Sequence, residues 1–252
     1  MIPVIQRTGE CRVWWADPRH QPIEAMMSVL NGPELRRASR FHREQDRRRF
    51  LTGAWLLRMV AGAELGVSPE RVEVDRWCSG CGKAHGKPHI RTGEEPLHVS
   101  VSHSGNRVVV AVTTVGPLGV DVEAVPSGPV DALARCALSP AELPALRAVP
   151  ESERRAAFAR LWVRKEAVLK ATGHGLRVPP DHVEVSGPDE RPALVRWPLD
   201  IAPEDVPIAA IDAGAGYAGA IAVLARDHLI TVSESHSTDL VQVPIASAAS
   251  AA

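Results

Sequence analysis

The alternation of hydrophobic and polar positions changes period along this chain and marks out its elements. Residues 11–17 (Cys-Arg-Val-Trp-Trp-Ala-Asp) read as a first strand, stopped by Pro18. From about residue 43 to Leu65 the period is helical, and the run from Phe50 onward is apolar on nearly every face, the pattern of a largely buried helix closed by Gly66. Residues 71–77 alternate as a strand. Residues 97–104 and 107–115 read as two more, joined by the tight-turn pair Gly105-Asn106. Gly119-Val120-Asp121-Val122-Glu123, bounded by Gly116-Pro117 and by Pro126-Ser127-Gly128-Pro129, is a further short strand. Pro140 and Pro144 are expected to break 130–150 into two short helical pieces, with Ser139 and Glu142 fitting a capping box. Glu151 to Thr172 is the best helix, ending at Gly173, and segments 182–186, 192–197, 206–211 and 216–225 read as strands of one antiparallel sheet. From about Ile230 the period fades into an Ala/Ser-rich tail whose last stretch is expected to be mobile.

Composition narrows the class. With 252 residues, 45% hydrophobic and 23% charged, the chain can bury a proper core. A formal net charge of -1 supplies no global field for nucleic acid or anionic membrane, so a basic site has to be a local cluster. The N-terminus lacks the apolar core of a secretion signal, and no apolar stretch reaches the roughly 20 residues of a spanning helix, so a cytoplasmic protein is expected. Cys11, Cys78, Cys81 and Cys136 are too few for a disulfide framework and are read as reduced thiols.

Several residue groups carry chemistry. In a strand, Asp121 and Glu123 share a face; they form either half of a divalent-cation site or an ordinary polar strand face. Arg36, Arg37, Arg40, Arg43, Arg47, Arg48 and Arg49 lead into the first long helix, as a solvated face or as a set of forks matched to phosphate oxygens. Cys78, Cys81, His85 and His89 have the spacing C-x2-C-x3-H-x3-H, but four ligands crowded into one glycine-rich loop make a tight turn the better reading than zinc. Lys87 stands at the lip of the following strand, and His103 sits between Ser102 and Ser104 at a strand end. On the helix 151–172, Lys165 falls inside the apolar stripe of Phe158, Leu161, Trp162, Leu169 and Thr172, so its ammonium must snorkel or point at a ligand in a cleft. Glu166 and Lys170, four apart, are by spacing an ordinary ion pair.

Taken together, Gly119-Val120-Asp121-Val122-Glu123 and Trp162-Val163-Arg164-Lys165-Glu166-Ala167-Val168-Leu169-Lys170 resemble the paired motifs of the 4'-phosphopantetheinyl transferase superfamily. The Arg-rich lead into Arg49-Phe50-Leu51-Thr52-Gly53, the Gly86-Lys87-Pro88 turn and Ser100-Val101-Ser102-His103-Ser104 extend the likeness over residues 35–176. The resemblance is to the long, monomeric type that activates carrier proteins of polyketide and nonribosomal peptide synthesis. It implies transfer of the phosphopantetheine arm of coenzyme A to a carrier-protein serine, releasing adenosine 3',5'-bisphosphate.

The implied fold is α/β: a pseudo-two-fold pair of subdomains, each a long helix on a small, mostly antiparallel sheet. Expected boundaries are 1–117, 118–229 with the metal site at the interface, and the tail 230–252. By the same resemblance, Asp121, Glu123 and Glu166 would ligate magnesium, or manganese, with Glu166 as general base. Arg40, Arg49, Lys87, Ser102, His103, Lys165 and Lys170 would hold the coenzyme, and Glu142 lies at a family position near the site. A rival reading is a zinc-stabilised module, using Cys78 to His89 and the Arg36 to Arg49 cluster to grip nucleic acid; it leaves the three acids without a purpose.

Overall fold

The computed structural model describes residues 7–77, 82–93, 95–226 and 228–242. The first part of the chain forms β1 (Arg7–Ala16), α1 (Ile23–Ser28), α2 (Gly32–Ala38), α3 (Glu44–Leu65), β2 (Val74–Trp77), β3 (Ala84–Ile90), β4 (His98–Ser104) and β5 (Arg107–Thr113). There follow β6 (Leu118–Ala124), α4 (Asp131–Ala137), α5 (Glu142–Ala148), α6 (Glu151–Ala171), β7 (Glu184–Val185), β8 (Leu194–Arg196), β9 (Ile208–Ala210), β10 (Tyr217–Val223) and β11 (His228–His236). One sheet has the order β11-β1-β5-β4, with β11 parallel to β1 and the other pairs antiparallel. A second, antiparallel throughout, runs β6-β10-β9. The result is the mixed α/β architecture expected from the sequence.

The layers follow from strand periodicity. Val108, Val110 and Val112 of β5 bury against α3, whereas Val109 and Ala111 face Leu118, Val120 and Val122 of β6 in a core between the two sheets. Because even positions of β6 face the other sheet, Gly119, Asp121 and Glu123 face the opposite way, towards α6. The order is therefore helix, sheet, sheet, helix, with α6 covering β6 and β10. Gly66, at φ 65°, ends α3 in the left-handed conformation that glycine adopts without cost.

Four expectations are corrected. The stretch from Ile230 is not a tail at its start, since His228–His236 pairs residue by residue with Arg7–Trp15 and Ser237 N donates to Trp15 O at 2.8 Å. Residues 243–252 lie outside the described residues. The late strands do not make one sheet: β7 and β8 form their own ribbon, and β9 and β10 join β6. Pro144 does not break a helix; it occupies the first turn of α5, where its missing N–H has no helical partner to lose. Finally, α2 runs into the stretch read only as basic, and α1 precedes it where the sequence was given no element. The signal for α2 was present: Asn31 caps it, with Glu34 closing a capping box and Pro33 in the first turn.

Candidate active site

A glycine sets how close α6 comes to the acidic strand. A Cβ at Gly119 would stand 2.0 Å from Ala167 O and 2.5 Å from Ala171 N, so the helix backbone lies directly on β6 only because no side chain intervenes. Two residues on, Asp121 is 2% exposed. Its Oδ1 accepts from Lys170 Nζ at 2.6 Å and from Ser102 Oγ at 2.8 Å, while Lys170 Nζ also donates to Ser102 Oγ at 3.0 Å and to Val120 O at 3.2 Å. Asp121 Oδ2 is buried with no partner.

Two more carboxylates lie near enough to Asp121 to feel its charge. Glu123, bonded by Ser104 Oγ at 2.8 Å, is pushed above the usual carboxylate range, first by burial and then by the negative Asp121. Glu166 is raised likewise, by burial first, then by Asp121, with Glu123 adding to it. Lys170 opposes both shifts. Three acids close enough to repel, one amine among them and a buried carboxylate oxygen left unsatisfied make a donor set suited to a hard divalent cation. Among the described residues no three such side chains are already drawn together at ligand spacing. The acids fit a cation, and their mutual repulsion is what one would relieve.

Beside the acids, a cavity of 220 Å³ is lined by Ser102, His103, Lys170, Phe50, Arg37 and Arg76. A wider one of 840 Å³ shares Arg37, Phe50 and Arg76 and reaches Arg36, Arg40, Phe41 and Lys83. Arg37 lies 5.1 Å from the Phe50 ring centroid, and both Arg37 Nη1 and Arg76 Nε are buried without partners. Burial, and then Arg37, pushes the Arg76 guanidinium below its usual range. These are two cationic donors awaiting an acceptor, and Arg76 was missed from the sequence because a single arginine in a strand carries no signal. Buried Arg58 sets their support, bonding Glu34 of α2 at 2.8 Å and the carbonyls of Pro69 and Val72. His103 is exposed as a residue, but its ring is partly desolvated and faces Lys170 and Arg49, which together hold its pKa down.

The remaining predicted residues divide. Arg40 is exposed at the rim of the wider cavity. Arg49 is half-buried and already engaged, its Nε with Gly105 O at 2.8 Å and its Nη1 with Asp46 at 2.7 Å. Lys165 is not in the cleft. Fully buried, its ammonium is taken by Glu142, by Pro180 O at 2.9 Å and by Val183 O, which corrects its expected contact with the coenzyme. Glu142 keeps its helix-start role as well, exchanging hydrogen bonds with Ser139 and accepting from Val185 N at 2.9 Å. Cys78 and Cys81 lie outside the described residues, as does the side chain of His85; His89 is exposed.

Lys87 of β3 reaches α6: its Nζ donates to Lys170 O at 2.9 Å, at the carbonyl end of that helix. Burial pushes this amine down to about 8 from 10.5. Between those values the unfolded chain binds more protons at this site than the folded one, so the residue's contribution to stability rises with pH through the window. Thermal unfolding of wild type and Lys87→Met from pH 8 to pH 10.5 should show the difference moving in the wild type's favour; a constant difference would mean that the amine is not held down.

Known proteins are similar to this chain in sequence. Residues 13–115 match the family model described as 4'-phosphopantetheinyl transferase, N-terminal, and residues 117–222 match that of the 4'-phosphopantetheinyl transferase superfamily. The chain is 34% identical over 208 residues to the 4'-phosphopantetheinyl transferase HetI of Nostoc sp., covering 78% of this chain and 85% of that protein. It is 29% identical to a 4'-phosphopantetheinyl transferase of Bacillus subtilis (69% of this chain, 74% of the other) and 28% identical to Sfp of the same species (64% and 68%). The protein is a transferase and belongs to the 4'-phosphopantetheinyl transferase superfamily.

Proposed function

We propose that this protein moves the 4'-phosphopantetheine arm of coenzyme A onto a serine of an apo acyl or peptidyl carrier protein of polyketide or nonribosomal peptide synthesis, releasing adenosine 3',5'-bisphosphate. The observation that carries the reading is the buried, unpartnered Oδ2 of Asp121, whose other oxygen is held by Ser102 and Lys170, two residues that also line the cavity containing Arg37 and Arg76. Asp121, Glu123 and Glu166 would hold magnesium, manganese being the alternative; bound there, it supplies charge to neutralise the diphosphate as the serine oxygen attacks phosphorus.

The chain's own groups do the rest. Glu166, made more basic by its burial and its acidic neighbours, takes the proton of the incoming serine. Lys170 holds phosphate oxygens beside the acids. Arg37 and Arg76, with Arg40, Arg49 and His103 around them, receive the phosphates of the nucleotide end, where planar guanidinium forks give charge-assisted hydrogen bonds. Both family-model matches fall on one chain, which supports a monomer.

Mass spectrometry of an apo carrier incubated with this protein, coenzyme A and magnesium tests the reaction. The carrier should gain the arm, and chelation of the metal should stop the gain. If neither a polyketide nor a nonribosomal peptide carrier is modified, the assignment of substrates is wrong.

A further inference from the structure

Three serines of β4, at positions 100, 102 and 104, alternate along one sheet face and meet β6 of the other sheet through side chains alone. Their hydroxyls divide by role. Ser100 Oγ accepts from Val120 N at 3.0 Å and touches no acid. Ser104 Oγ accepts from Ala124 N at 3.1 Å, so its single proton is directed to Glu123 Oε2 at 2.8 Å. Ser102 Oγ accepts from Lys170 Nζ at 3.0 Å and gives its proton to Asp121 Oδ1 at 2.8 Å. In both acidic pairs the backbone or the lysine fixes the hydroxyl, and the hydroxyl fixes one oxygen of the carboxylate. The other oxygen of Asp121 is thereby left free.

We infer that Ser104, in register with Ser102, is a positioning residue that aims the acidic pair at its cation, and that the cation site is therefore completed by the sheet that does not carry the acids. This rests on the metal reading above. A hydroxyl held behind a ligating carboxylate fixes its rotamer, and loss of such a supporting hydrogen bond weakens metal binding by about 10-fold or more. Ser100 supplies an internal control, because it makes the same kind of cross-sheet bond with no carboxylate at its end.

Free Mn2+ followed by electron paramagnetic resonance, in a titration of the protein with coenzyme A present and no carrier, reads the site without turnover. Ser104→Ala should raise the Kd for Mn2+ about 10-fold, Ser104→Thr should stay near wild type, and Ser100→Ala should lower the thermal midpoint without moving the Kd. Should Ser104→Ala not fold, Ser104→Cys keeps the volume with a poorer donor and should also bind Mn2+ more weakly. An unchanged Kd in a folded Ser104→Ala or Ser104→Cys, or an equal weakening in Ser100→Ala, overturns the inference alone. A wild type that binds no Mn2+ overturns the metal reading, and the inference with it.

Discussion

Glu166→Gln should lower the rate of transfer by about 10³-fold while leaving the protein folded. The amide cannot take the serine's proton, and it offers a cation a neutral oxygen in place of a charged one. Folding should not suffer, because the charge it removes is one that burial, Asp121 and Glu123 all disfavour. The thermal midpoint of the metal-free variant should therefore equal or exceed that of the wild type. Asp121→Ala should be as inactive but less stable, since Lys170 and Ser102 both lose the oxygen they bond. Full turnover by Glu166→Gln, measured as carrier modified per minute, would remove both the base and the ligand from that position.

What the chain disclosed beforehand depended on how far a residue's partners lie along it. Asp121 and Glu123 could be placed on one face because strand period is local, and α3 announced itself by a long apolar run closed at Gly66 and α6 by an apolar stripe at helical spacing closed at Gly173. The strand at 228–236 could not be seen in the same way. Its burial alternates only weakly, and its partner is β1, more than two hundred residues earlier, so nothing nearby marks it as structured. Within the arginine run, Arg37 looked like its neighbours. What separates it is a buried, unpaired nitrogen over the Phe50 ring, which depends on β2 and α3 closing around it. By its neighbours Gly86 and Pro88 alone Lys87 reads as a solvated lysine, and only the family resemblance made it a coenzyme contact, whereas the docking of α6 gives its ammonium a helix end to hold.

The lysine inside the apolar stripe of α6 shows the same limit with the larger energetic consequence. Helical spacing placed Lys165 correctly on the buried face, and from there only snorkelling or a ligand could be imagined. Its partner, Glu142, is on another helix and is itself 5% exposed, so the pair neutralises itself away from water. Lys165→Met would leave the Glu142 carboxylate buried with only the N–H groups of Ser139 and Val185, and would strand the carbonyls of Pro180 and Val183.

The expected cost is about 3–5 kcal/mol. At roughly 2–4 °C per kcal/mol for a chain of this size, the thermal midpoint should fall by about 10 °C. Adding Glu142→Gln to Lys165→Met should recover part of the loss, because the uncompensated charge disappears while the amide still accepts from both backbone groups. Activity separates structure from chemistry here: the folded fraction of Lys165→Met should keep the wild-type KM for coenzyme A. A KM raised tenfold or more, with the midpoint unmoved, would instead put this ammonium on the phosphates and require α6 to present a different face to the cleft.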